Sequence, residues 1–459
     1  MLWSLTAPAF LAVIGTLLVV VLGGADGAEA ETLTQALAFA YRSNPQLNAA
    51  RARQRSDDEN VPRALGGYDP TVAVTGDVGV QIDRDNQNGR LSVTRPVTIG
   101  LTVNQTLVDF GRTALAVRGA ESEVFAGREN LRGVEQTVLL NAATAYMNVI
   151  RDGAIVGLQQ SNVEFLLEEL RITRKRVETG DLKPTGVSQG EARLARARAD
   201  LATAGANLVA SRSIYRQAVG HEAANLSFPE GEAKHPRTLK DALAESRALS
   251  PAARNAAHLV DVASLAVSRA NAELLPSVGL QGSVSRAVGA ASDQAGSAFP
   301  SVALSLSVPI YDGGSAYALI RQAKETVAQR RIELEAVREQ VRADVRSAWG
   351  ALEAARASVP AAEAGVAATE IALAGVRREA SEGQRTTLDV LNAQQELVNA
   401  RAALLTVRRD RVVASYAFAA AVGRLTAAHL DVPGTRYRPE VHYRQVRDAR
   451  FGTRTPDGR

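Results

Sequence analysis

Cysteine is absent from the 459 residues, and its absence excludes disulfides, thiolate metal sites and cysteine nucleophiles. An acylated N-terminal cysteine is excluded with them, so an exported form of this chain carries no lipoprotein anchor. Aromatic residues are scarce, at 4%, which leaves little to fill a bulky globular core. Ala, Arg, Glu, Val and Leu dominate instead, a composition suited to long helices. Charge of one sign is not in large excess: 53 basic against 49 acidic residues give a net charge of +4. Arg and Glu are mixed along helical stretches, so they read as solvated helix faces rather than a nucleic-acid surface. Past the N-terminus no run of 18 uninterrupted apolar residues occurs, so entry into a membrane would need a β-barrel. No Ser/His/Asp constellation, paired-acid site or phosphate loop has the local context its chemistry needs. His221, His235, His258, His429 and His442 lack metal-ligand spacing. The chain reads as a non-enzyme without cofactor or metal.

Residues 1–30 read as a secretory signal. Ala9 to Leu22 is an apolar run of signal length, and Ala28-Glu29-Ala30 is a small-x-small cleavage site. A membrane anchor is the competing reading, but the run is too short to span a bilayer. The segment before it lacks Lys and Arg, unlike an ordinary signal. Cleavage before Glu31 removes Asp26 and Glu29 and no base, which raises the net charge by two.

The rest of the chain is one unit written twice. Thr32 to Leu37 (TLTQAL) matches Thr238 to Leu243 (TLKDAL) at a shift of 206, as do Pro45 with Pro251 and Pro70 with Pro276. Asp109 then matches Asp312, Gly180 matches Gly383, and Val219-Gly220 matches Val422-Gly423 at a shift of 203. Residues 31–220 form the first repeat, 221–236 a linker, 237–426 the second repeat and 427–459 a basic tail. Each repeat reads as a helix, two strands, a long helix, a tip and a return helix.

The strands are expected at 71–81 and 97–108, and at 277–285 and 301–308. In each, aliphatic residues alternate with small polar ones: Val72, Val74, Val78 and Val80 in the first, Val302, Leu304, Leu306 and Val308 in the last. Period-2 alternation puts the aliphatics on one face. A soluble half-buried sheet would show the same pattern. A transmembrane barrel is favoured by the nearly uncharged polar face, by Tyr68, Phe110, Phe299 and Tyr311 at strand ends, and by long polar loops at 83–95 and 286–298. Four strands cannot close a barrel, since the smallest spanning barrels use about 8. If the sheet enters lipid, several chains must pool their strands.

The long helices are expected over 113–178 and 316–381, each roughly 100 Å at 1.5 Å per residue. A heptad seam runs through Val117, Ala120, Val124, Gly127, Leu131, Val134 and Val138, and through Ile320, Ala323, Val327, Arg330, Leu334, Val337 and Val341. Shorter helices, Gln35–Asn60 with 187–219 in the first repeat and the return helix 387–423 in the second, would line them.

With this layout the chain resembles the TolC family of outer-membrane efflux and secretion proteins. The sequences Leu107 to Arg112 (LVDFGR) and Pro309 to Gly314 (PIYDGG) look like the family's strand-to-helix junction. They point to Asp109, Gly111, Asp312, Gly313 and Gly314. Gly383 to Gln394 (GQRTTLDVLNAQ) looks like its periplasmic tip, with Gly180–Glu191 as the looser first copy. Pro439 to Arg447 (PEVHYRQVR) resembles the ending of members that serve type I secretion.

The resemblance implies a mixed α and β membrane protein: a homotrimer with a twelve-stranded barrel, continued by a coiled-coil helical tunnel through the periplasm. It implies three partners: outer-membrane lipid, a periplasmic adaptor and an inner-membrane ABC or proton-driven transporter. It also marks Gly180, Gly383, Arg385, Thr386, Asp389 and Asn392 as candidate gate residues. Two positions depart from the family. An acidic pair is reduced to Asp389, with Asn392 beside it. Arg385 lacks its first-repeat carboxylate, because Gly186 stands there, which leaves closure to other contacts such as Asp181. Thr386–Asp389 and Ser188–Glu191 also resemble capping boxes, so Asp389 is read either as a cap or as part of a charged ring. A periplasmic coiled-coil adaptor is the alternative function, but such a protein has no need of two amphipathic strand pairs.

Overall fold

The computed structural model describes residues 30–84, 89, 91–180, 183–229, 231–289 and 298–458. The signal segment except residue 30, Asp181, and much of the loop expected at 286–298 lie outside the described residues.

Two short helices, α1 (Leu33–Ser43) and α2 (Pro45–Asp58), open the chain and are followed by α3 (Asn60–Leu65). The single helix expected over Gln35–Asn60 is therefore divided. Pro45 has no N–H to continue α1, and the residue before a proline is driven out of helical geometry. Asn44 is extended and its side chain accepts from the backbone N–H groups of Gln46 and Leu47, so it caps α2. The second repeat breaks the same way. Ser250 ends α6 (Leu239–Leu249) and caps α7 (Pro251–Ala272), accepting from Ala253 N–H.

The strands are β1 (Thr71–Val78), β2 (Gln81–Arg84), β3 (Leu91–Thr94), β4 (Val97–Val108), β5 (Ser277–Val288) and β6 (Ala298–Ser307). β1 stops at Val78, short of the expected 81. The loop expected to be plain and polar instead folds as the hairpin β2–β3. Ile82 pairs with Val93 across it, and alternation continues past the point where a loop was expected. In the second repeat the strands run longer than expected, to Val288 and from Ala298. β1, β4, β5 and β6 form one antiparallel sheet in that order.

The helices that follow the strands are α4 (Arg112–Glu178) and α8 (Ser315–Ser381), of 67 residues each. Their return partners are α5 (Thr185–Val219) and α9 (Thr387–Val422), and α10 (Pro439–Val446) lies in the tail. α8 contains a stretch long and apolar enough to cross a membrane by composition alone. It is rich in alanine and carries Pro360 within the same continuous helix. Small residues of this kind suit close helix packing, as the seams predict.

The chain divides into two compact units. One comprises Met1–Phe39, Ala142–Gly231 and Ala364–Arg409; the other comprises Ala40–Asn141, Glu232–Glu363 and Asp410–Arg459. In the first unit, the two helical hairpins interlock. Leu391 of α9 joins Leu166, Leu170, Leu194 and Ala197 of the α4–α5 hairpin. Phe165 of α4 packs in return against Leu373, Val390 and Leu397 of the α8–α9 hairpin. The start of the first repeat is fixed to the linker in this unit: Tyr146 Oη lies 2.6 Å from the carbonyl oxygens of both Glu31 and Ser227, which share its one proton. In the second unit, Trp349, at the repeat position of Tyr146, packs edge-on against Phe418. That ring belongs to a core with Val341, Val345, Leu352 and Val422.

The tail of the second unit is structured where only a basic segment was expected. His442 Nδ1 lies 3.0 Å from the fully buried Asp58 carboxylate. Tyr443 Oη donates to Glu121 at 3.3 Å. These contacts seat α10 on α2 and α4.

Candidate functional site: membrane face, strand–helix junctions and helical tips

Cross-strand register decides the two faces of the sheet. Val72 pairs with Val103, Val74 with Leu101 and Val78 with Val97. Leu101 in turn pairs with Val284, Leu280 with Leu304 and Val278 with Leu306. Directly paired residues share a face, so the aliphatics of all four strands form one continuous surface. Nothing among the described residues covers it: Val78 is 82% exposed, Val302 79% and Leu304 68%. Contiguous apolar area of this size marks an interface or a lipid face. The other face is small and polar, with Ser283 and Ser301 hydroxyls 2.7 Å apart. A register irregularity between Thr106 and Val108 lies at the helix-ward end of β4. Arg286 is an exception, opposite Ile99 on the apolar set near the strand end.

The two junctions are built alike. Asp109 accepts from Gly111 N–H at 3.0 Å and from Thr113 N–H at 2.6 Å. Asp312 accepts from Gly314 N–H at 3.1 Å and from Ala316 N–H at 2.7 Å. Each carboxylate thus satisfies backbone donors that the first turn of a helix leaves without partners. Gly111, Gly313 and Gly314 adopt left-handed backbone (φ 86°, 73° and 88°), which costs a glycine nothing. Burial alone would raise the Asp109 pKa, but the hydrogen bonds from Thr113 and Gly111, with Arg112 alongside, hold it below its ordinary value.

The tips share their turning glycines and differ in side-chain chemistry. Gly180 and Gly383 end the two long helices at φ 81° and 80°, as C-terminal glycines do. Beyond them the copies diverge. Asp389 makes a full capping box: its carboxylate accepts from Thr386 N–H at 2.9 Å and Thr386 Oγ1 at 2.8 Å, and Asp389 N–H donates to Thr386 Oγ1 at 3.3 Å. These bonds, the backbone one first, lower the Asp389 pKa. In the first copy the expected box at Ser188–Glu191 is not formed. Pro184 precedes α5 without a side-chain cap, and Glu191 pairs with Arg174 at 2.7 Å.

Arg385 pairs with Glu379 of its own hairpin at 2.8 Å, which settles the partner that Gly186 cannot supply. The link between the hairpins is made elsewhere. Arg193 Nη2 donates to Asn392 Oδ1 at 2.7 Å, and Gln394 Nε2 donates to the buried Asn162 Oδ1 at 3.1 Å. Arg193 and Asn162 were not singled out from the sequence. Each is one polar residue on an amphipathic helix, and only the packing of the hairpins gives it a partner.

The whole arrangement has known counterparts. The profile of the family described as outer membrane efflux protein matches residues 37–221 and 240–424. The chain belongs to that family. It is 40% identical over 439 residues to "Outer membrane efflux protein BepC" of Brucella suis biovar 1 (strain 1330), covering 95% of this chain and 94% of that protein. It is 26% identical to "Outer membrane protein TolC" of Escherichia coli (strain K12), covering 88% and 84% of the two chains. In fold it matches the Campylobacter jejuni CmeC outer membrane channel with a TM-score of 0.76 at 15% identity, covering 91% of this chain and 89% of that one.

The protein is an outer-membrane exit channel of the tripartite export type, with its helical tunnel in the periplasm. Its mixed fold, a helical tunnel with a β-barrel part, and its duplication follow the family architecture. The exposed aliphatic face of the sheet is then the lipid face. The family and fold are those of channels, which are not enzymes.

Proposed function

We propose that three copies of this chain pool their strands into one closed barrel and pass export substrates outward from an inner-membrane pump. The observation that carries this is the four-stranded sheet with β1 and β6 at its edges. In lipid an open edge leaves backbone N–H and C=O groups without partners, each costing several kcal/mol. Three chains of four strands each give a closed twelve-stranded barrel, inside the range of bacterial outer-membrane barrels. The pump, an ABC or proton-driven transporter, supplies the energy, and a periplasmic adaptor couples it to the tips.

In this reading the tips, around Gly180, Gly383, Arg385, Thr386, Asp389 and Asn392, form the periplasmic gate. Closure depends on the Arg193–Asn392 bond and on the interlocked Leu391 and Phe165, because these join the hairpin of one repeat to that of the other. The junction residues Asp109, Gly111, Asp312, Gly313 and Gly314 turn each strand into its tunnel helix. The two repeats, 31–220 and 237–426, each supply one strand pair and one hairpin to this assembly.

Light scattering of the detergent-extracted outer-membrane fraction tests the assembly. A particle of three protein masses is expected. A monodisperse monomer that stays soluble without detergent removes the barrel.

A further inference from the structure

We infer that the C-terminal segment 444–454 is an interfacial anchor that docks on anionic phospholipid headgroups at the periplasmic leaflet of the outer membrane. The path of the tail is the first observation. His442 meets Asp58 on α2, Arg447 lies 3.7 Å from Glu121 on α4, and Arg450 pairs with Asp69 at 2.9 Å. Asp69 stands two residues before β1 begins at Thr71. The tail therefore runs along the helices to the rim of the sheet and arrives there at Arg450. Because the helices lie in the periplasm, this rim is the periplasmic edge of the membrane-spanning sheet.

The residue after that ion pair is Phe451, which is 99% exposed. A fully exposed phenylalanine serves no packing inside this chain. At a membrane edge it occupies the position of an interfacial aromatic. Tyr68, next to Asp69, is exposed at the same end of β1, and Ile310 and Tyr311 are exposed at the same rim beyond β6, on the opposite edge of the sheet. Charge points the same way. Residues 444–454 contain Arg444, Arg447, Arg450 and Arg454 against the single acid Asp448. Arg447 and Arg450 hold the tail to the protein, while Arg444 and Arg454 are exposed and have no ion-pair partner among the described residues. Arg454, three residues past the exposed Phe451, sets a free basic side chain beside an aromatic, a pairing that matches a surface of anionic lipid, and Arg444 adds longer-range positive charge from α10.

The absence of cysteine makes the test clean. Thr453→Cys, labelled with a nitroxide in the full-length protein, reports its depth through accessibility to a water-soluble nickel relaxant. Gln384→Cys at the tip gives the aqueous reference. In vesicles of phosphatidylethanolamine with phosphatidylglycerol, accessibility at 453 should be several-fold lower than at 384. The protection should shrink in vesicles of phosphatidylethanolamine alone, in Arg444→Glu/Arg454→Glu and in Phe451→Ser, none of which touches the contacts to Asp58, Glu121 or Asp69. Equal accessibility at both positions in every vesicle overturns the inference. Protection that ignores the lipid and both variants also overturns it, because a neighbouring protein surface then covers the tail. Co-flotation with the vesicles is read separately: failure to float overturns the membrane placement on which the anchor rests, whereas flotation with an exposed label overturns the anchor alone.

Discussion

The two strand–helix junctions and the two tips were duplicated together, yet only the junctions stayed alike. Asp109 and Asp312 accept from the same pair of positions, two and four residues ahead, at distances within 0.1 Å of each other. The tips kept the glycines that reverse the chain and lost side-chain equivalence. One has a capping box and an internal Arg385–Glu379 pair; the other has no side-chain cap on its return helix, pairs Arg174 with Glu191 instead, and sends Arg193 across to Asn392. A junction only has to start a helix beside a strand, and both repeats must do so. A tip that meets its own counterpart can divide the work, one copy donating and the other accepting.

The strongest challenge to the likeness of the repeats is at their lipid faces. Val103→Arg in the first repeat and Leu304→Arg in the second should each block assembly, since Arg near mid-bilayer costs about 2–4 kcal/mol. Thr102→Arg, one residue away on the polar face, should assemble. Heat-modifiable migration of the outer-membrane fraction reads the result, and insertion of both classes alike would show that the faces are misassigned.

The junctions should then respond equally. Asp109→Ala and Asp312→Ala each remove a carboxylate from two helix-start donors, worth roughly 0.5–2 kcal/mol per cap. Matching decreases in thermal stability are expected. A large loss from one and none from the other would break the equivalence.

At the tips the same kind of paired test should give unequal answers. Arg193→Ala should raise single-channel conductance in planar bilayers, because it removes one of the ties between the first hairpin and the second. Arg385→Ala should not, since Glu379 is on its own hairpin. Asn392→Asp sharpens the point. Arg193 would neutralise the new carboxylate, so block by multivalent cations should increase only when Arg193→Ala is added.

The smallest effect is the pH response of the second tip. Its cap depends on ionised Asp389, whose pKa is lowered by the Thr386 bonds from an ordinary 3.8. Stability from a lowered carboxylate is present above the unfolded pKa and is lost as pH falls through the folded one. Hydrogen exchange near residues 386–389 should therefore accelerate only below that ordinary value. The uncapped start of α5 should show no such step.

Arg450 illustrates where sequence reading stopped. Its pairing with Asp69 joins residues far apart in the chain, and no local pattern records that contact. The helix break at Asn44-Pro45 is legible in the proline itself, which the match of Pro45 to Pro251 uses only as a marker of the repeat. Hairpin β2–β3 is less legible, because its few alternating residues lie among polar ones that read as loop.

The sequence by itself determined the duplication, the lengths of α4 and α8, the turning glycines at 180 and 383, and the separation of aliphatic from polar residues along each strand. These depend on periodicity and on single-residue backbone preferences, which are local. Tertiary structure alone decided that Leu391 and Phe165 cross between hairpins, that Arg193 rather than Arg385 links the repeats, and that the tail climbs to the sheet rim. Each of those depends on which surface a side chain meets, and amphipathic helices of similar pattern can meet in many registers until packing selects one.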